Sequence, residues 1–254
     1  MFSINDWHRQ FQRQAGWTSH LREYIYDKIS LSKARSILDV GCGTGVLEVE
    51  LGSLTSIKIT ALDIVFQRLQ FANTHHHSNW LCGDTYALPF ADATFDISFC
   101  NYLLLWLKNP VKALVEIKRI TCPGGYILLL AEPDYTHRID FPEELDYLGK
   151  VQMDALVAQG ANPGIGPAIG ALLNQASIEI VETGLAGGQW NPSNNTQDSD
   201  LEWEILDDDL EGLTDEVKLQ SYKAIDVLAR KAGTRILYVP VFYAIGRIPI
   251  RDKV

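Results

Sequence analysis

Residues 37–45, ILDVGCGTG, form a motif that limits where a chain like this can hold a ligand. The first part is a short apolar run typical of a buried strand, and glycine then occupies every other position. Glycines placed directly after a strand allow unusual backbone angles and let a ligand lie against the main chain. The helix that follows adds unpaired N–H groups. The motif therefore predicts a nucleoside- or nucleotide-binding loop at residues 41–45.

The segments after this motif alternate short apolar runs with helical periods, which predicts a parallel sheet covered by helices on both faces. The predicted strands, in chain order, are SILDV, IKITALD, NWLCGD, FDISFCN and YILLLAEP. Between them lie the predicted helices VLEVELGSL, VFQRLQFAN and NPVKALVEIKRI, the last capped by Asn109 and stopped by CPGG. The expected fold class is α/β with a doubly wound sheet.

The organisation of the chain favours a single domain over residues 1–254. Its 254 residues are 46% hydrophobic, enough for one substantial core, and no repeat or linker marks a boundary. Aromatic and charged residues at helical spacing predict one or two amphipathic helices in residues 1–30. Residues 136–254 predict the helices FPEELDYLGKVQMDALVAQGA, GPAIGALLNQA and DEVKLQSYKAIDVLARKAG, the strand IEIVETGL, the polar loop NPSNNTQDSD, and a last strand or pair in RILYVPVFYAIGRIP.

Composition limits the partners and the compartment. The net charge of −10 argues against a nucleic-acid backbone as the main partner. No apolar stretch is long enough for a membrane span, and the N-terminus lacks a secretory pattern. The cysteines lack C-x-x-C pairing, which indicates reduced thiols in a cytoplasmic protein; they are Cys42, Cys82, Cys100 and Cys122. The acidic run at 198–212 is either a solvated face or a flank for a cationic or amine substrate.

Three aspartates are expected to meet at the crevice of the sheet, because the carboxyl ends of neighbouring parallel strands share one edge. Asp39 lies in the first strand, Asp63 ends the second and Asp84 ends the third. At these places a carboxylate can accept hydrogen bonds from ribose hydroxyls and from the exocyclic amine of adenine. No lysine or arginine ends a strand in the first 90 residues, where a pyrophosphate would need one. The pattern favours a positively charged adenosine compound, such as a sulfonium nucleoside.

Four ordered segments resemble the successive motifs of class I S-adenosylmethionine-dependent methyltransferases: ILDVGCGTG, ITALDI, GDTYALPFADATFDISFCN and ITCPGGYILLLAEPD. The resemblance covers roughly residues 35–135 and implies a Rossmann-like, mostly parallel sheet of seven strands. Its last strand is expected to run antiparallel, with ILYVPVFYAIG as the candidate. Residues 1–30 would then form a helical lid and residues 136–254 a substrate-side elaboration. The implied cofactor is S-adenosylmethionine, and the implied product is S-adenosylhomocysteine.

Carried over by position, the resemblance assigns Gly41, Gly43 and Gly45 to the methionine part of the cofactor, with Asp39 beneath them. It assigns Asp63 to the ribose and Asp84 to the adenine amine. The other expected cofactor residues are Cys42, Ile64, Gly83, Thr85 and Asn101.

Each of these assignments has a simpler structural alternative. Asp63 could cap the following helix, and Asp84 could form a turn before TYALPF. On the N-terminal helices, Trp17 is a candidate to close over the ligand, or else packs between helices. Arg22 is a candidate partner for the cofactor's carboxylate.

The expected reaction is methyl transfer by in-line displacement to the oxygen or nitrogen of a small organic acceptor. A base is needed only for a hydroxyl or a protonated amine. Candidates follow the fifth strand in AEPDYTHRID: Glu132, Asp134 and His137, whose alternative is a polar loop. Many small-molecule members have a histidine beyond the fourth strand, where this chain has Trp106.

Other functional classes share these sequence features. An NAD(P)-dependent oxidoreductase uses a similar sheet, although the G-x-G-x-G spacing and Asp84 count against it. A non-catalytic cofactor-binding relative, or an enzyme that uses the sulfonium for another reaction, would carry the same loop. The histidines at 75–77 are expected to form a solvated loop and not a metal site. The oligomeric state is not predicted.

Overall fold

The helices and strands of the chain are taken from a computed structural model that describes residues 3–55, 57, 59–75, 78–187, 203 and 216–250. The strands are β1 (Ile37–Val40), β2 (Thr60–Asp63), β3 (Asn79–Cys82), β4 (Phe95–Cys100), β5 (Thr121–Pro133), β6 (Ile139–Phe141), β7 (Glu179–Leu185), β8 (Ile236–Tyr238) and β9 (Val241–Arg247). The helices are α1 (Ile4–Trp17), α2 (Ser19–Lys28), α3 (Val46–Leu54), α4 (Phe66–His75), α5 (Pro110–Ile120), α6 (Asp146–Ala158), α7 (Ile169–Gln175) and α8 (Glu216–Lys231).

The main sheet has the strand order β3-β2-β1-β4-β5-β9-β7. β1 to β5 pair in parallel, whereas β9 runs antiparallel to both β5 and β7. This confirms the predicted seven-stranded, mostly parallel sheet and its antiparallel last strand. The carboxyl ends of β1 to β4 therefore lie along one edge, where a doubly wound sheet binds its ligand.

The core lies on both faces of this sheet, as the alternation of side chains along β1 requires. Leu38 and Val40 pack on the face covered by α5, α6 and α7. Ile37 packs on the other face, in a cluster with residues of α1, α2 and α3. The two N-terminal helices therefore belong to the core, in addition to any role as a lid: Ile25 of α2 is fully buried.

Local sequence explains where α5 and α1 begin. The Asn109 side chain accepts a hydrogen bond from the Lys112 N–H, and Pro110 occupies the first turn of α5, as predicted. At α1, Ser3 and Asp6 form a reciprocal capping box. One boundary differs from the expectation. The CPGG segment, assigned to the helix stop, is already part of β5, which begins at Thr121 directly after α5.

A second, two-stranded sheet was not predicted from the sequence. β6 pairs antiparallel with β8, placing Asp140 opposite Leu237. The sequence placed Phe141 at the start of a helix, but α6 begins only at Asp146. The sequence allowed a last strand or a pair of strands in residues 235–249, and this segment does hold two strands, β8 and β9. The two strands do not pair with each other, because β8 belongs to the second sheet and β9 to the main sheet.

Buried ion pairs hold this second sheet to α8. Asp140 is bound by Arg138 at 2.6 Å and by Arg235 at 2.7 Å. Arg235 also binds Asp226 of α8 at 2.7 Å, which in turn accepts a hydrogen bond from the Trp203 indole at 3.0 Å. Such residues are far apart in sequence, so no local pattern reveals the network. The predicted polar loop, and the acidic run apart from Trp203, lie outside the described residues.

None of the helices within the described ranges combines the length and apolar character needed to cross a bilayer. The four cysteines are free thiols. Of the histidine run at 75–77, only His75 is described, at the end of α4, and the expectation of a solvated loop there lies mostly outside the described residues.

Candidate functional site

The glycine loop follows β1 and has the backbone that its sequence predicts. Gly41, Gly43 and Gly45 have φ values of +80°, +58° and +79°, in the left-handed region that side chains disfavour. Space is limited as well. A Cβ on Gly43 would lie 3.1 Å from the Phe11 ring, and one on Gly45 would lie 2.5 Å from Trp80. Glycine is therefore required for both conformation and packing.

Asp63, at the end of β2, fixes this loop. Its Oδ2 accepts a hydrogen bond from the Gly43 N–H at 2.9 Å, and its Oδ1 accepts one from the Val65 N–H at 2.8 Å. The second bond matches the helix-cap alternative, because Val65 immediately precedes α4. Each carboxylate oxygen retains a further lone pair that can accept a hydroxyl. The next residue, Ile64, is 68% exposed and presents an apolar side chain beside it.

Asp84 acts in a turn, as the simpler alternative predicted. Its Oδ1 accepts the Tyr86 N–H at 2.8 Å. The side chain is exposed, so the carboxylate can still be reached by a ligand. The neighbouring Thr85 is buried, and its hydroxyl oxygen has no hydrogen-bond partner. The Gly83 N–H bonds the Asp63 carbonyl at 3.1 Å, which joins the ends of β2 and β3.

The segment after β4 also carries buried polar atoms without partners. These are the Asn101 side-chain oxygen and the Tyr102 hydroxyl. Burial raises the pKa of the Tyr102 phenol. Tyr102 has a φ of +53°, a strained conformation for a bulky residue, which is typical of functional sites. Asn101 was predicted here, whereas Tyr102 was not.

The first helix covers the glycine loop through His8 and Phe11, which the sequence pattern did not mark as ligand-site residues. His8 Nδ1 lies 2.9 Å from Thr44 Oγ1, and the Phe11 ring packs against Gly43. Trp17, the predicted lid residue, is 48% exposed, and the Arg13 guanidinium lies 5.1 Å from its ring centre. The helical period did indicate an apolar face for α1, but not which of its residues would meet the loop.

Arg22 is already bonded to other groups of the protein. Its Nε and Nη2 bind Glu50 of α3 at 2.9 and 2.5 Å, and its Nη1 binds the Ala15 carbonyl and Thr18 hydroxyl at 2.8 and 2.7 Å. The guanidinium has five N–H donors, and four are committed to these bonds. Arg22 therefore ties α1, α2 and α3 together with four of its five donors, and its role as partner of the cofactor's carboxylate stays a prediction.

Two buried acids lie next to the loop. Asp39 is 2% exposed, and burial together with the nearby Glu48 raises its pKa well above the ordinary range. Glu48, in the first turn of α3, is 4% exposed, and burial raises its pKa to about 7. Burial raises the pKa of the Cys42 thiol well above its ordinary value, and the two nearby carboxyl groups raise it further. Asp39 was predicted and Glu48 was missed, although it shares the helical spacing of the buried Leu47 and Leu51.

Glu132, a candidate base in the sequence, has a structural role. It is fully buried at the end of β5, and its carboxylate accepts the N–H groups of Leu103, Leu104 and Leu105 at 3.1, 2.9 and 3.3 Å. Burial raises its pKa to about 7. Its lone pairs face the protein's own backbone, and a role of Glu132 as a base stays a prediction. It holds the short turn that follows β4.

Asp134 and His137 are brought together as the sequence allowed. The Asp134 carboxyl is buried and lies 2.7 Å from His137 Nδ1, and it also accepts the Thr136 N–H at 3.0 Å. The His137 side chain is 76% exposed. A buried carboxylate thus orients an exposed imidazole, and in the tautomer with its proton on Nδ1 the other ring nitrogen can accept a proton.

Comparisons with known proteins agree with this geometry. Residues 38–129 match the model of a family described as a methyltransferase domain. Residues 38–129 are therefore similar to a methyltransferase domain. The match begins at β1 and ends within β5, so it spans the glycine loop, Asp63, Asp84 and Asn101.

Curated relatives share part of the sequence with this chain, and solved structures share its fold. A malonyl-acyl-carrier-protein O-methyltransferase of Erwinia pyrifoliae is 36% identical over 122 residues, 48% of this chain and 44% of that protein. The chain spans about half the length of the curated relatives that it matches. The structure of the (4+2)-cyclase SpnF matches with a TM-score of 0.59 at 20% identity, covering 91% of this chain and 80% of that one. A geranyl diphosphate methyltransferase, solved with GPP and sinefungin, matches with a TM-score of 0.57 at 12% identity, covering 90% and 77%. At these identities the structures show a common fold.

Proposed function

We propose that this methyltransferase domain binds S-adenosylmethionine and transfers its methyl group to a small organic acceptor. One observation carries the proposal: several side chains within the described ranges have buried polar atoms without a hydrogen-bond partner. They are Gln10, Tyr26, Asp39, Glu48, Thr85, Asn101 and Tyr102. Folded proteins pair nearly all buried polar atoms. These residues lie on α1 to α3 and near the carboxyl ends of β1, β3 and β4, where a polar ligand would complete their bonds.

The residues of the crevice fit the parts of this cofactor. The bare main chain of the glycine loop admits the amino-acid portion, and the remaining lone pairs of Asp63 suit ribose hydroxyls. Ile64 offers an apolar surface for adenine, whose amine the exposed Asp84 carboxylate can accept. Asp39, Asp63 and Asp84 make the site suitable for a positively charged nucleoside. An NAD(P) dinucleotide is disfavoured, because its sheet is usually parallel throughout, whereas β9 is antiparallel.

The chain's own residues would position and shield the reactants. The bound cofactor supplies an already activated methyl group. His8 and Phe11 hold α1 over the glycine loop and limit the access of water. Asn101 and Tyr102, held in place by the Glu132-bound turn, present polar atoms that can orient the ligand or the acceptor. Catalysis then depends mainly on alignment of the acceptor with the bond that breaks.

The Asp134–His137 pair is our proposed base for acceptors that must lose a proton. Asp134 holds Nδ1, and the free ring nitrogen of His137 would take the proton of a hydroxyl or a protonated amine. Replacing His137 by Ala should lower kcat on such an acceptor about 100-fold or more. His20→Ala removes an exposed histidine from α2 and should leave kcat unchanged. A loss below threefold in His137→Ala would remove this residue from the chemistry.

Titration calorimetry tests the cofactor assignment directly. We expect S-adenosylhomocysteine to bind and NAD⁺ not to bind. Asp63→Ala should abolish most of the affinity, whereas Asp154→Ala, on the exposed face of α6, should retain it. A screen of small acceptors with a labelled methyl donor would then identify the substrate. Cofactor binding without transfer to any acceptor would favour a non-catalytic role.

A further inference from the structure

The second sheet, formed by β6 and β8, has its polarity reversed. Its inner face, turned toward α6 and α8, holds Asp140 together with Arg138 and Arg235, which directly precede the two strands. The side chains of Arg138, Asp140 and Arg235 are 3%, 2% and 5% exposed. α6 lies against this face, since a Cβ on Gly149 would come 3.0 Å from Asp140 Oδ2. An antiparallel sheet with one solvated face normally buries its apolar side chains and exposes its polar ones.

The outer face of this sheet is apolar. Residues opposite each other in an antiparallel pair share a face, so Ile139 and Phe141 of β6 lie beside Tyr238 and Ile236 of β8. Ile139 is 51% exposed and Phe141 is 46% exposed. The two strands carry a single charge, Asp140, and it points inward. Buried ion pairs explain how the sheet is held, but they do not explain contiguous apolar side chains at the surface, which are typical of binding surfaces.

One end of the outer face adjoins the Asp134–His137 pair. β6 begins two residues after His137. β8 ends two residues before Pro240, whose carbonyl accepts the Asp134 N–H at 2.8 Å. Both strands therefore lead to the proposed base. Ile139 lies at the near end of the face, and Phe141 lies about 7 Å farther along the strand.

The size of the outer face favours a small ligand over a protein. Three residues of a strand span about 10 Å, and paired strands lie about 5 Å apart. A stable protein interface buries about 800 Å² on each partner, far more than four side chains supply. The Tyr238 hydroxyl is bound to the Ala186 carbonyl at 2.6 Å, so the face offers mainly apolar contact. A narrow apolar strip of this kind suits an alkyl chain.

We propose that the outer face binds an aliphatic chain of the methyl acceptor, whose hydroxyl or amine then lies at His137. The inference rests on the proposed function and narrows the small organic acceptor to one with an extended apolar chain. Ile139 contacts the carbons nearest the nucleophile, and Phe141 contacts those farther along. Each methylene group should strengthen binding, by up to about fourfold where it is fully buried.

Methyl NMR tests the site directly, because Ile139 and Ile236 carry δ1-methyl groups on the outer face. The wild type, saturated with S-adenosylhomocysteine, is titrated with 1-butanol, 1-hexanol and 1-octanol. We expect both methyl signals to shift. The Kd should fall by roughly tenfold or more from 1-butanol to 1-octanol.

Substitutions locate the chain along the strand. Phe141→Ser should weaken 1-octanol binding on the order of fivefold and leave 1-butanol unchanged, because the shorter chain ends before this residue. Ile139→Ser should weaken the binding of all three alcohols. Phe141→Leu keeps an apolar side chain and should retain most of the affinity. Val157→Ser removes an exposed apolar residue from α6 and should behave as the wild type.

Affinity for S-adenosylhomocysteine, measured for each protein, separates this inference from the function on which it rests. If that ligand binds but Phe141→Ser affects all three alcohols equally, or none of them, the chain site is overturned and the cofactor assignment stands. Self-association of the wild type in ultracentrifugation, lost in Phe141→Ser and with no alcohol binding, would assign the face to a second copy and also overturn the inference. If the wild type does not bind S-adenosylhomocysteine, the proposed function fails, and the acceptor site fails with it.

Discussion

Gly43 is limited by two independent constraints, its backbone angle and its contact with Phe11. Replacement by alanine places a side chain in the left-handed region, at a cost of about 1–2 kcal/mol, and brings a Cβ to 3.1 Å from the ring. Gly43→Ala should therefore lower the free energy of unfolding and weaken ligand binding.

Gly52→Ala is the matched control in the same part of the chain. Gly52 lies inside α3, where an added Cβ meets no atom within 4 Å. Alanine there should raise the free energy of unfolding by roughly 0.5–1 kcal/mol, because glycine is the weaker helix former. Urea denaturation of both variants measures the contrast. Equal stability of the two would show that the loop tolerates side chains.

Glu48 should make the stability of the ligand-free protein depend on pH. Its pKa is raised from 4.5 to about 7, so the folded state holds the proton more tightly than the unfolded chain. The stabilisation is complete below pH 4.5 and is lost as the pH rises through 7. Because glutamine does not ionise, Glu48→Gln should exceed the wild type at pH 8 by up to about 3 kcal/mol.

The advantage of Glu48→Gln should decrease as the pH falls towards 5, where both proteins carry a neutral group at this position. Thermal unfolding between pH 5 and pH 8 measures it, with Glu179→Gln as the exposed control. A constant difference across this range would contradict the buried, proton-holding carboxyl.

The turn after β4 depends on Glu132 of β5. Glu132→Ala would leave the N–H groups of Leu103, Leu104 and Leu105 without their acceptor. At roughly 1 kcal/mol or more for each unsatisfied buried donor, the loss should reach on the order of 3 kcal/mol. Amide hydrogen exchange at these leucines should accelerate, and Glu144→Ala, at an exposed position, should change neither quantity. Unchanged exchange would show that the turn is held by other contacts.

The elements differ in how much of them the sequence could predict. α3 and α5 match their predicted helices closely and β1 to β4 lie in their predicted segments, because alternation, helical period and caps such as Asn109 are local signals. β6 and β8 have three residues each, too few for alternation, and are stabilised by ion pairs such as Asp140–Arg235. The N-terminal helices were predicted, but their burial beside α3 depends on tertiary packing.

The residues of the site also divide into those with a local sequence signal and those that depend on tertiary contacts. The glycine loop, Asp63 and Asp84 could be located from the sequence because each lies at or just after the end of a strand. Glu48 and His8 were missed because their roles arise from contacts with other elements. The sequence also does not reveal that the charged groups of Arg22 and Glu132 are already bonded inside the protein.

At the scale of the whole molecule, α1 and α2 connect the core with the ligand crevice. They cover one face of the sheet, and α1 also reaches the glycine loop through His8 and Phe11. A ligand bound in this crevice should therefore stabilise the entire fold. At 100 times its Kd, S-adenosylhomocysteine should add about 2.7 kcal/mol to the free energy of unfolding.

The most direct measurement is a crystal structure of the protein with S-adenosylhomocysteine. We expect the ligand at the carboxyl ends of β1 to β3, with its ribose hydroxyls on Asp63. The buried polar atoms of Asn101 and Thr85 should lie along the same crevice. A ligand bound elsewhere on the protein, or a crevice that stays empty in crystals grown at saturating ligand, would contradict the account.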